Sequence, residues 1–216
     1  MTEFVRARSC EQKNLRMEEI KAATDALFAT LPYQEITLTT IANQLSWTRA
    51  NLYKYVTTKE DIFLELCADK MNAYYDGLKS AFPVGCGYSA EVFAEVWAGI
   101  LNAHKDYLHY SDILSTIVET NVSVDRLAEF KKNYYEKSGD ISRLFHQNLG
   151  ISEKEAYEIF LSVHYHAVGI HSICLKNPLV EQALKKAQLP TPEIDFRENL
   201  KKFILIQLKY YCCRRV

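Results

Sequence analysis

Thr48, Arg49, Asn51, Tyr53 and Lys54 surround a single core-type residue, Leu52, in the stretch LTTIANQLSWTRANLYKYVTTKED, Leu38 to Asp61. A short helix with so many polar and basic side chains has little to bury on its outer face. The residue types suggest a use for that face. An arginine such as Arg49 donates two hydrogen bonds to guanine, and an asparagine such as Asn51 pairs with adenine. Tyr53 and Lys54 suit phosphate oxygens, contacts that hold register without reading sequence. Lys59 opens the next helix, where an amide-rich N-terminus already favours a phosphate. The face therefore fits the major groove of duplex DNA. The plainer reading is a solvated surface, which any short helix with Arg, Asn and Lys admits.

Such a face needs neighbours to seat it. Thr37 is placed to cap a short helix carrying Ile41 and Leu45. Ser46-Trp47 forms the turn and Thr48 caps the next helix, anchored by Leu52 and Val56. Thr57 and Glu60 have capping-box spacing at the start of a long helix, in which Phe63, Cys67, Met71, Tyr74, Leu78 and Phe82 form one stripe. Before them, residues 15–31 place Ile20, Ala23, Leu27, Phe28 and Leu31 on one face. Two short helices joined by a tight turn, with others packed across them, make a helix-turn-helix.

The rest of the chain is helical by the same signal. Apolar residues recur at three and four, strand-like alternation is nearly absent, and only 7 Gly and 5 Pro interrupt 216 residues. The spacing predicts helices over 90–108, 125–148, 153–176 and 196–211, with 109–120 ambiguous. Residues 153–176 and 203–211 are apolar nearly all round. A helix of that kind must be covered on every face, which in a small chain suggests a second copy. The expected fold class is all-α, with domains at 10–58 and 59–216 and residues 59–82 as the connecting helix.

Composition sets bounds. Net charge is −1, so attraction to nucleic acid must be local rather than global. No apolar run approaches the roughly 20 residues that span a bilayer, and the first residues carry no apolar signal segment. The 6 cysteines, at 10, 67, 86, 174, 212 and 213, show neither a C-x-x-C pair nor a disulfide framework. A reduced, cytoplasmic protein without membrane contact is expected.

At this point a resemblance becomes specific. EEIKAATDALF followed by ITLTTIANQLSWTRANLYKYVTTKEDIFLEL resembles the N-terminal domain of the TetR (tetracycline-repressor) family over roughly residues 15–66. Ala22-Ala23, Leu27-Phe28, Thr37, Ile41-Ala42, Leu52-Tyr53 and Lys59 carry it. The resemblance implies an all-helical homodimer with a three-helix DNA reader and a larger domain that dimerises and binds a small effector. By position it implies a DNA face of Thr37, Thr39, Thr48, Arg49, Ala50, Asn51, Tyr53, Lys54, Tyr55 and Lys59. Two positions depart from the family pattern. Ser46 stands where glycine is common, and Val56 where an aromatic is common.

Other residues invite sharper chemistry. His164, His166 and His171 crowd one helix, but only His164 and His171 share a face, so convergence on a metal is not expected. Cys212-Cys213 would bridge only with strain. Met71, Tyr74, Trp97, His104, Tyr134 and His164 could line an effector cavity or fill a solid core. No nucleotide, zinc-protease or nucleophile-elbow motif is present, and neither enzyme activity nor a cofactor is expected. The expected function is a ligand-responsive, dimeric regulator of transcription, a repressor that binds a near-palindromic operator. The alternatives are a helical protein–protein adaptor that keeps the fold without reading DNA, and a helical enzyme.

Overall fold

The computed structural model describes residues 10–175, 177–191 and 193–212. Among these, all regular structure is helical, in agreement with the expected class. The helices are α1 (Cys10–Phe28), α2 (Leu38–Gln44), α3 (Arg49–Leu52), α4 (Lys59–Ala81), α5 (Ala90–Ala103), α6 (Lys105–Ile113), α7 (Val124–Leu149), α8 (Glu153–Cys174), α9 (Pro178–Ala187) and α10 (Phe196–Cys212). A 3₁₀ turn (Tyr33–Glu35) precedes α2, and a π-helical turn (Leu114–Val118) follows α6.

The chain divides into two compact units. The first comprises the described residues up to Asp69 together with Leu114–Phe130. The second comprises Lys70–Ile113 and the described residues from Lys131 onward. The division falls within α4 and within α7, whereas the sequence suggested a boundary at residue 58, just before α4.

In the first unit the sequence stripes become the core. Ile20, Ile36, Ile41, Leu52, Ile62 and Phe63 are fully buried. Phe63 meets the edges of Phe28 and Tyr33, each with ring centroids 5.0 Å apart. Such edge-to-face pairs add to the burial of the rings themselves. The caps are largely those expected. Thr37 accepts from the Thr40 amide in a reciprocal box, and Thr48 accepts from the Asn51 amide. The cap of α4 lies one residue later than the spacing suggested. Thr58 and Asp61 form it, with the Thr58 hydroxyl accepting from the Asp61 amide at 3.2 Å. The Asp61 carboxylate accepts from the Thr57 and Thr58 amides at 3.3 and 3.1 Å. A carboxylate reaches two amides at once, and Glu60 is engaged by the Tyr33 hydroxyl instead.

In the second unit Tyr74, Phe82, Phe93, Trp97, Phe145 and Phe160 are almost completely buried and form one aromatic network. α10 packs on α5 and α8, and α6 on α8. The helix expected over 90–108 breaks at His104, whose backbone (φ −113°, ψ 39°) leaves the helical region. No glycine or proline marks the break, which is why periodicity ran through it. α9 has no counterpart in the periodicity reading. Its signals are local: Asn177 accepts from the Leu179 and Val180 amides, and Pro178 occupies the first helical position.

Candidate nucleic-acid interface

α3 is only four residues long, and its seating depends on its flanks. Leu52 is fully buried and Val56 nearly so, which fixes the helix by its inner side. The turn before it closes through the Trp47 amide donating to Ala42 O at 2.8 Å. Ser46 takes φ 56° there. A non-glycine residue in that region costs about 1 kcal/mol, a modest strain that the surrounding turn supports. Trp47 stands 5.8 Å from the Tyr55 ring, with the Arg16 guanidinium 5.3 Å from its own ring centre. The tryptophan thus braces the turn, as its place in the sequence suggested.

The expected DNA-face residues lie in the first unit. Thr37, Thr39, Thr48, Arg49, Ala50, Tyr53 and Lys54 are exposed, while Asn51, Tyr55 and Lys59 are half-buried. Their roles diverge in detail. Arg49 donates through Nε and Nη2 to the Tyr53 hydroxyl, at 3.2 and 2.7 Å. Lys54 Nζ stands 3.5 Å from Asn51 Oδ1. The Thr37 hydroxyl is engaged in its helix cap, so only its outer surface faces solvent.

Lys59 is more committed than its sequence position suggested. Its ammonium donates to Tyr33 O at 2.9 Å and Ile36 O at 2.8 Å, and sits 3.7 Å from the Tyr33 ring centre. Burial lowers its pKa, opposed by the neighbouring Glu60. Two of its three N–H groups hold the loop before α2. Its side chain therefore ties the start of α4 to that loop.

Sequence reasoning missed the contribution of Leu114–Phe130 to this unit. Arg126 lies 3.7 Å from Asp61 Oδ1 and 3.1 Å from Glu65 Oε1. A cavity of about 230 Å³ opens between Tyr55, Val56 and Asp61 on one side and Val122, Ser123 and Arg126 on the other. A residue more than sixty positions downstream leaves no local pattern by which to find it.

The six residues suggested for an effector site belong to the second unit. Met71, Tyr74 and Trp97 are fully buried, His164 nearly so, and His104 and Tyr134 half-buried. Tyr74 gathers several of them: its hydroxyl accepts from Trp97 Nε1 at 2.8 Å, and its ring lies 6.0 Å from His104 and 5.4 Å from Tyr107. Tyr107 in turn stacks on His164 at 5.3 Å. Tyr134 stands against Tyr135. The three histidines of α8 go separate ways. His166 stacks on Phe203 at 3.8 Å and meets Asn199, while His171 faces His109 and Phe196. Among the described residues no cluster of three metal-type ligands forms. Cys86 and Cys174 are free thiols, and Cys213, the partner of Cys212 in the adjacent pair, lies outside the described residues.

Burial holds the His164 imidazole at a pKa of about 4, below its ordinary 6.5. A depressed histidine pKa means that the fold favours the neutral ring. Its stabilising contribution is complete above pH 6.5 and is lost as pH falls towards 4. His109 and His171 are lowered in the same direction by burial. Urea titrations should show stability falling across that window, with His164 contributing roughly 3 kcal/mol at most. His164→Gln should flatten the curve; an unchanged slope would show that the ring titrates normally.

The family model for tetracyclin repressor-like C-terminal domains matches residues 68–209. No curated protein sequence matches the chain. Solved structures share its fold at low identity. A TetR/AcrR-family transcriptional regulator from Thermobifida fusca superposes with a TM-score of 0.61 at 16% identity, covering 92% of this chain and 99% of its own. The fatty acid degradation regulator FadR from Bacillus halodurans gives 0.57 at 14%, covering 89% and 94%. The TetR-family repressor AlkX from a Dietzia strain, implicated in biodegradation of n-alkanes, gives 0.51 at 11%, covering 91% and 96%. No helix among the described residues is long and apolar enough to cross a membrane.

Proposed function

We propose, from the premise that the chain belongs to the tetracycline-repressor-like family of transcriptional regulators, that it is a dimeric repressor released from a near-palindromic operator by a small molecule. The observation that carries the DNA reading is the exposed row along α3 and the turn that follows it. Arg49 on the helix, Tyr53 at its C-cap and Lys54 just beyond face solvent, while Leu52 and Val56 hold the inner side. Arg49 reads a base edge; Thr48, Tyr53, Lys54 and the remaining N–H of Lys59 hold phosphates.

A single short helix reads few base pairs, so two copies act together. The outer faces of α8 and α10 support a two-fold pairing, since Tyr165, Ile173, Ile206 and Tyr210 stay exposed there. Two helices from each copy would form a four-helix interface that covers them. Half-sites then lie about one helical turn apart, roughly 34–36 Å, or further. Release would run along α4, one continuous helix of roughly 35 Å at 1.5 Å per residue. Met71, Tyr74 and Trp97, at the far end of that path, are buried, so an effector entering there would have to displace side chains. Tilting α4 at that end would move the reading helix, and coupling requires the effector to bind the DNA-free form more tightly.

Sedimentation at micromolar concentration should give a dimer, and a persistent monomer would end the pairing proposal. Duplex binding followed by anisotropy should weaken steeply with added salt, because phosphate contacts release counterions. Absence of salt-sensitive retention would favour the adaptor reading instead.

A further inference from the structure

Arg49 and Tyr53 lie one helical turn apart, and the guanidinium does not hang free. Nε and Nη2 both donate to the Tyr53 hydroxyl oxygen, at 3.2 and 2.7 Å, and the guanidinium carbon lies 5.3 Å from the centre of the tyrosine ring. A guanidinium has five N–H groups. The phenol oxygen takes the two along the Nε/Nη2 edge. The other three remain, among them the end-on pair, one from Nη1 and one from Nη2, that matches O6 and N7 of guanine. Both lone pairs of the phenol oxygen are then occupied, so its own hydrogen points away from Arg49, where a phosphate can accept it. The contact also limits the rotamers of a long side chain before DNA arrives, which lowers the entropy lost on binding.

We infer that Tyr53 is a positioning residue for base reading: its hydroxyl locks Arg49 with the end-on fork presented outward, so that sequence discrimination at one base pair of each half-site depends on a residue that touches no base. The inference rests on the proposed DNA-reading role of α3. It assigns Tyr53 more than a phosphate contact, and the two roles have different signatures. A phosphate contact strengthens all sequences alike, whereas a positioning contact acts on the preference for one base.

The test compares wild type, Tyr53→Phe, Arg49→Ala and the double variant. Tyr53 is exposed, and phenylalanine keeps the ring, so the fold should be retained and thermal melting can verify it. Each protein is bound to duplexes selected by the wild type and to their single-base variants. Tyr53→Phe should reduce discrimination about three- to tenfold, a part of what one bidentate pair supplies, at the same base pair that Arg49→Ala affects. The double variant should discriminate no worse there than Arg49→Ala alone, because the tyrosine acts only through the arginine. Uniform weakening with base preference intact would overturn the inference and leave Tyr53 a phosphate ligand. Tighter or sharper binding by Tyr53→Phe would also overturn it, showing that the hydroxyl withholds Arg49 from DNA. A DNA-free readout separates this inference from the reading on which it stands. The Arg49 Nε–H should exchange with solvent more slowly in the wild type than in Tyr53→Phe, and equal exchange rates would refute the lock whatever the DNA results. If the lock is present but Arg49→Ala changes no base preference, the base-reading role of Arg49 fails, and the positioning role falls with it.

Discussion

Arg49→Ala is expected to cost about 1–3 kcal/mol of operator affinity and to relax preference at one base pair in each half-site. The guanidinium is exposed and held by the Tyr53 hydroxyl, so the loss should fall on recognition and leave stability nearly unchanged. Competition binding against single-base operator variants measures it. Lost affinity with every base preference preserved would move the arginine into the phosphate-binding set. Lys59→Ala makes the useful contrast. It should lower affinity for all sequences and reduce the salt slope by about one phosphate contact. Because the same ammonium holds Tyr33 O and Ile36 O, it should also lower thermal stability.

The largest effect on folding should come from Trp97→Ala, at about 3–5 kcal/mol. Trp97 is fully buried, its ring 4.7 Å from Phe145 and stacked over Phe160 at 6.4 Å. Truncation would leave a cavity that these rings can close only in part. It would also strip the Tyr74 hydroxyl of the Nε1–H that meets it inside the core. Trp97→Phe keeps most of the packing but removes the donor and part of the ring, so about 1–3 kcal/mol is expected. Urea unfolding distinguishes the two. A loss below about 1 kcal/mol for Trp97→Ala would mean that the ring stands in an opening, as an effector-wall residue would, because filling a tight core cannot be that cheap.

The stretch from α2 to the start of α4 was legible because its signals are local. Caps at Thr37 and Thr48, a turn at Ser46-Trp47, and anchors at Leu52 and Val56 all act within a few residues of the helices they define. The stripe from Phe63 to Phe82 was legible for the same reason, since one face of one helix repeats at three and four. The cap of α4 slipped from Thr57–Glu60 to Thr58–Asp61 because both pairs have the same spacing, and only the tertiary contact of Glu60 with Tyr33 separates them. The break at His104 was hidden because α5 and α6 share an apolar rhythm across it. Tyr107, which joins Tyr74 to His164, follows that break and therefore passed unnoticed. The Arg126 ion pairs and the return of residues 114–130 to the first unit are long-range facts that no window of sequence contains. Whether Met71, Tyr74 and Trp97 fill a core or line a cavity was equally out of reach, because both use the same apolar residues; all three are buried.

Selection of bound sequences from a random duplex library tests the central claim most directly. The account predicts enrichment of a near-palindrome whose half-sites each contain a guanine-bearing base pair, and loss of that one preference when the selection is repeated with Arg49→Ala. Recovery of no shared sequence, with retention that does not depend on salt, would contradict it.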